Sequence, residues 1–222
     1  MCSFLFARTS LELTDEVLRT ANAYAQRRGP DATNVVRRVD RSGQHLTFLH
    51  NLLDISGQTC VQPMIESGPR GGETFVLFNG EIYNFRQLGA FASDSECLLP
   101  TFHQSGTDLG VQLDGEFAIV IYDAEAGNLS VFSDPFLTKP IYQGSNDTPG
   151  DYGVATCAST LQRIGLDHVE MVEPNVAYRI RFTEDQGTCV EKRSPVAPFS
   201  IDQHKQTYED WTVAFLDAVR KR

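Results

Sequence analysis

Several stretches of this chain are apolar at every position instead of at every second one. Ser3–Ala7, Thr74–Phe78 and Phe117–Tyr122 are the clearest. A strand with one wet face alternates, whereas a short continuous apolar run belongs to a strand covered on both faces. Further strand-like runs are Asn34–Val39, His45–Leu49, Leu129–Ser133, Ile141–Tyr142, Gly153–Cys157, Val176–Phe182 and Cys189–Lys192. Asp40 to Gly43 is a hairpin turn between the first two of these. Helical signals are fewer. Thr14 caps a helix carrying Leu13, Val17, Leu18, Ala21, Tyr24 and Ala25, which stops at Arg27-Arg28-Gly29-Pro30-Asp31. Tyr83–Gly89, Ser95–Gln104 and Ala158–Ile164 also read as helical. Leu52–Gln62 reads as irregular and Pro195–Ile201 as a linker. A closing helix starts near His204 with Tyr208, Trp211, Phe215, Leu216 and Val219 on its apolar face. About ten covered strands and a few helices imply an α+β fold in four layers, an αββα sandwich.

Charge and cysteine usage exclude several classes. A formal net charge of -10 disfavours nucleic acid and anionic membrane surfaces, which bind basic proteins. No apolar run approaches the ~18 residues of a membrane span, and Ser3–Ala7 is too short for a signal-peptide core before Arg8. The cysteines Cys2, Cys60, Cys97, Cys157 and Cys189 are odd in number and form no C-x-x-C pair, so neither a disulfide framework nor a zinc site is expected. The expectation is a reduced, cytoplasmic protein without a metal.

Three places carry chemistry. Cys2 follows Met1 and is small, so removal of Met1 would leave a cysteine bearing both a thiol and a free α-amine. With reference pKa values of about 8 for the amine and 8.5 for the thiol, nucleophile and base sit on one residue. Asn79-Gly80 follows an apolar run; the pair can hold a developing oxyanion or form a plain β-turn. Against the turn, Glu81–Phe85 reads as helical entry and not as a returning strand. Asp94 lies at a helix start, where a carboxylate either caps the helix or grips a substrate ammonium. Asp134-Pro135 reads as a turn, and Lys139 as the partner of a nearby acid.

These residues together resemble the glutaminase domain of class II glutamine amidotransferases, in particular that of the asparagine synthetase family. The matching segments are Met1-Cys2-Ser3-Phe4, Arg28-Gly29-Pro30-Asp31, Gln62-Pro63-Met64, Phe78-Asn79-Gly80-Glu81-Ile82-Tyr83-Asn84, Ser93-Asp94-Ser95-Glu96, Leu113-Asp114-Gly115-Glu116-Phe117-Ala118, and Asp134-Pro135-Phe136 with Lys139-Pro140. They stand in the family's order and cover almost the whole chain. The resemblance implies an N-terminal-nucleophile hydrolase fold and L-glutamine as substrate. It implies Cys2 as nucleophile, Asn79 and Gly80 as the oxyanion hole, and Glu81 and Asp94 at the amino-acid end of the substrate.

Two departures stand out. The family's carboxylate-binding arginine is replaced by a leucine, Leu49 or Leu52 depending on alignment, with Leu53 following Leu52 in the same substrate-binding stretch; Arg28 is a candidate substitute. Ser133 and Leu137 also stand where the family commonly has arginine and glycine. The second departure is the lack of the family's Ser-Gly-Gly-Leu-Asp-Ser pyrophosphate loop. The expected organisation is therefore an amidotransferase domain over 1–195, then a linker and helix over 196–222 leading toward a synthetase domain or subunit. ATP and magnesium would act there, and no cofactor is expected in this chain. The competing readings are a non-enzymatic regulatory module and an amidase for a different amide.

Overall fold

A computed structural model of the chain describes residues 2–54, 60–68, 71–183, 188–193 and 204–221. Among them are two antiparallel sheets of six strands each. The first holds β1 (Ser3–Thr9), β2 (Ala32–Val39), β3 (His45–Leu52), β8 (Tyr142–Ser145), β9 (Tyr152–Ala155) and β10 (His168–Met171), in spatial order β10-β8-β9-β1-β3-β2. The second holds β4 (Met64–Ser67), β5 (Glu73–Ile82), β6 (Gly115–Asp123), β7 (Asn128–Ser133), β11 (Ala177–Phe182) and β12 (Thr188–Arg193), in order β12-β11-β7-β6-β5-β4.

Side-chain parity along the central strands builds the layers. Phe4 and Phe6 of β1 meet Phe75 and Leu77 of β5 and Val120 and Tyr122 of β6 in a core between the sheets. The Phe48 and Phe75 rings stack across it at 4.3 Å. The alternate residues, Leu5 and Ala7, face outward onto Leu18 of α1 (Asp15–Asn22) and Leu161 of α5 (Ala158–Arg163). On the other side Val76, Ile119 and Ile121 pack against Leu98 of α3 (Leu98–Ser105) and Leu109 of α4 (Leu109–Gln112). All of β1 is buried. The unbroken apolar runs thus arise from strands with a core on each face, and the αββα layering is the one expected.

Several local expectations change. Helix α1 starts as read, with Thr14 Oγ1 accepting from Val17 N–H at 3.3 Å, but ends at Asn22, and Tyr24 is exposed. Tyr83–Gly89 shrinks to one turn, α2 (Phe85–Leu88). Strands β4 and β10 escape the sequence reading because they are short, polar and at sheet edges. Leu137 adopts a left-handed φ of 52°, which explains why glycine suits that place; a side chain there costs about 1–2 kcal/mol. The proposed linker at 195–201 lies outside the described residues. Helix α6 (Tyr208–Lys221) leaves Tyr208, Trp211, Phe215 and Val219 exposed, while its Lys221 Nζ reaches Asp114 Oδ2 at 2.7 Å.

Arg8 of β1 is 1% exposed. Its Nε donates to Asp40 Oδ2 at 2.8 Å, one terminal nitrogen to Gly150 O and the other to Ser42 Oγ, both at 2.7 Å. Its guanidinium also lies over the Phe182 ring, so one side chain bolts two loops to the second sheet. Arg8→Ala removes one partner from a buried pair and is expected to lower the unfolding free energy by about 3–5 kcal/mol, read by chemical denaturation.

Candidate active site

Cys2 sits immediately ahead of β1. Its Sγ accepts from the Leu53 N–H at 3.4 Å. Burial pushes the thiol above its ordinary range; the Leu53 contact and the N-terminal charge pull it back, and Asp94 pushes it further up. Burial thus favours the neutral thiol, and a base would help its attack. A buried polar knot anchors the next residue. Asn51 Nδ2 donates to Ser3 Oγ at 2.9 Å and to Asn22 Oδ1 at 2.7 Å, and Ser3 Oγ donates to Ala25 O at 2.8 Å.

The Asn79-Gly80 pair is not a turn, nor does a strand end before it: β5 continues to Ile82 and pairs with β6 throughout. Gly80 lies opposite Phe117, and a Cβ on it would stand 2.0 Å from Glu116 O, so no larger residue fits. Phe117 spends its own N–H and C=O on Asp134, accepting from Asp134 N–H at 3.1 Å and donating to Asp134 Oδ2 at 3.2 Å. Gly80 is thus a non-hydrogen-bonded partner of Phe117, and its N–H points off the opposite edge of β5.

That edge is open because the β4 ladder ends where Met64 pairs with Val76. Three N–H groups follow along it. The Phe78 N–H donates to Gln62 Oε1 at 2.7 Å, and the Ile82 N–H to Asp94 Oδ2 at 3.0 Å. Between them the Gly80 N–H faces the cleft. Beside it, Asn79 is 1% exposed, and its Nδ2 is buried without a hydrogen-bond partner. A buried donor without an acceptor costs about 1–3 kcal/mol, so one retained at a cleft wall marks a site built for a ligand.

Asp94 does not cap the short helix that follows it, since its side chain makes no capping bond there and reaches across to Ile82 instead. Burial pushes its carboxyl up, with Glu81 adding to the effect. A buried carboxyl raised in this way is suited to a cation brought by a ligand, which would offset its cost of ionisation. Glu81 lies opposite Glu116 across the strands, and Lys139 Nζ bonds Glu116 Oε2 at 2.8 Å, as the expected acid partner of Lys139.

Cys2, Leu52, Leu53, Asn79, Gly80, Glu81 and Asp94 all line one cleft of about 950 Å³. Leu49 does not; it packs with Leu5 and Leu18 in the outer core. Of the two leucines, Leu52 is the one that lines the cleft. Arg28 does not line the cleft either, but Arg86, Arg220 and Lys221 do.

Sequence reasoning missed the roles of Gln62 and His50. His50 Nε2 lies 3.3 Å from Phe78 O, and burial pushes its pKa down to about 4. The ring stays neutral in the folded chain, whereas an unfolded histidine titrates near 6.5. The unfolded state binds the extra proton between these values, so stability falls as pH drops from about 6.5 to 4. The expected loss is about 3 kcal/mol, absent in His50→Gln, and measurable by denaturant titration across that window.

The comparisons with known proteins agree with this geometry. The glutamine amidotransferase domain family matches residues 1–185. A probable glutamine-hydrolysing asparagine synthetase of Acanthamoeba polyphaga mimivirus is 32% identical over 194 residues, 82% of this chain and 34% of that protein. A putative glutamine-hydrolysing asparagine synthetase of Mycobacterium bovis is 30% identical over 167 residues, 68% of this chain and 24% of that protein. The chain thus spans about a quarter to a third of the length of these curated relatives. Among solved structures, the glutamine phosphoribosylpyrophosphate amidotransferase of B. subtilis superposes with a TM-score of 0.67 at 20% identity, covering 85% of this chain and 49% of that one. A class-II domain protein from Silicibacter pomeroyi gives 0.52 at 12% identity, covering 87% of this chain and 100% of that one. These structural likenesses show the N-terminal-nucleophile amidotransferase fold. With the family match spanning most of its length, the chain belongs to the glutamine amidotransferase domain family.

Proposed function

We propose that this domain hydrolyses L-glutamine and delivers the ammonia to an acceptor activated by a separate synthetase domain or subunit, as an asparagine-synthetase-like enzyme. With Met1 removed, the Cys2 α-amine takes the thiol proton and Sγ attacks the side-chain carboxamide carbon. The oxyanion that forms is held by Asn79 Nδ2 and the Gly80 N–H. The ammonium just formed returns its proton to the leaving nitrogen, ammonia departs, and a γ-glutamyl thioester remains. Water then cleaves the thioester, releasing glutamate and restoring the thiol. Asp94 and Glu81 receive the substrate ammonium, and Leu52 and Leu53 flank its methylene chain. Arg86 lines the same cleft and has no carboxylate partner among the described residues, which makes it the candidate cation for the substrate carboxylate in place of Leu52.

ATP and magnesium would act in the synthetase partner, and a reducing cytoplasm suits a free nucleophilic thiol. The observation that carries the reading is the unpartnered Asn79 amide in the cleft that Cys2 also lines. It weighs against a regulatory relic, in which such a buried donor has no use. A diazoketone analogue of glutamine tests it: a Cys2 thioether forms as dinitrogen leaves, and mass spectrometry of the N-terminal peptide detects it. Absence of label at Cys2, with the analogue consumed elsewhere or not at all, rejects glutamine as substrate.

A further inference from the structure

Gln62 lines the same cleft and is 5% exposed, yet the proposed reaction gives it no part. Register continued past the last β4 pair puts Gln62 opposite Phe78, where a strand would normally supply a backbone acceptor. Its side chain supplies that acceptor instead, through Oε1 on the Phe78 N–H at 2.7 Å. Its backbone is held in turn, since Asn34 Nδ2 of the first sheet donates to Gln62 O at 2.9 Å. His50, also from the first sheet, sits 3.3 Å from Phe78 O. Both polar groups of the residue before Asn79 are therefore gripped by side chains tied to the sheet that Cys2 begins. Further along the edge Asp94 grips Ile82. The Asn79-Gly80 segment is suspended between these two anchors.

We propose that Gln62 is a positioning residue: it stands in for the missing strand at Phe78 and sets the direction of the Asn79 amide and the Gly80 N–H relative to the Cys2 sulfur. The proposal rests on the oxyanion reading above. Removing the Gln62 acceptor frees the Phe78 peptide to rotate, which displaces two donors that must meet an atom carrying charge only in the transition state. Misplacement of about 1 Å at such a site costs up to about 100-fold in rate. Ground-state binding of glutamine uses other residues and is spared.

A double-mutant cycle tests it, with kcat and KM for glutamine hydrolysis measured in the full chain. Gln62→Met is expected to lower kcat by about 10- to 100-fold with KM within about twofold. Placed on Asn79→Ala, the same change is expected to lower kcat by clearly less than it does alone, because one of the two donors it positions is already gone and only the Gly80 N–H is left to misplace. Should Gln62→Met not fold, Gln62→Asn, whose acceptor is too short to reach Phe78, takes its place. Unchanged kcat in the single variant overturns the proposal, as does a loss that multiplies in full with that of Asn79→Ala. If Asn79→Ala alone keeps its kcat, the oxyanion assignment itself is at fault, and the role of Gln62 falls with it.

Discussion

Cys2→Ala is expected to reduce glutamine hydrolysis by at least about 10⁴-fold, since removal of the nucleophile stops covalent catalysis and leaves only binding and electrostatics. The measurement is ammonia release from the purified chain. Burial raises the Cys2 thiol, which favours its neutral form. Among the described residues no histidine lines the cleft. The proposed mechanism gives the role of base to the α-amine of Cys2, with a reference pKa of about 8. Two consequences separate this from an ordinary cysteine site. The rate should rise with pH through an amine-like midpoint, and one extra alanine ahead of Cys2 should abolish turnover while leaving the thiol in place. Equal rates in the parent and Cys2→Ala would remove the nucleophile from the account.

The second large effect is at Asn79. Asn79→Leu is expected to cost about 10²–10³-fold in kcat, the usual consequence of losing one oxyanion donor. The same change should leave the fold as stable as before, or more stable by about 1 kcal/mol, because it replaces a buried amide whose Nδ2 has no acceptor with a side chain of similar size. Loss of activity with gain of stability is the signature of a group retained for chemistry. A large fall in the denaturation midpoint would instead assign the amide a structural partner.

The layered architecture was legible because parity is a local property. Phe4 and Phe6 against Leu5 and Ala7, or Leu77 against Val76 and Phe78, are each apolar, and two covered faces follow from that alone. The Thr14 cap and the Asp40–Gly43 hairpin were equally local. Asp40 accepts from Ser42 N–H and Gln44 N–H at 2.9 Å within its own turn. Residue types, spacing and a family resemblance were enough to single out Cys2, Asn79, Gly80, Glu81, Asp94, Leu52 and Leu53, all of which line one cleft.

What sequence could not supply was the identity of each residue's neighbour across space. The choice between a turn and an oxyanion corner at Asn79-Gly80 depends on β6 running alongside and on β4 stopping short, and both strands are distant in the chain. Whether Asp94 caps a helix or grips Ile82 depends on where β5 passes, and whether Leu49 or Leu52 meets the substrate depends on which face of β3 the outer helices cover. Gln62 and His50 acquire meaning only because the second sheet carries Phe78 up to them. A strand's composition determines that both its faces are dry. Only the packed sheets determine where a ladder ends, and it is at that end that unpaired N–H groups become available to a ligand.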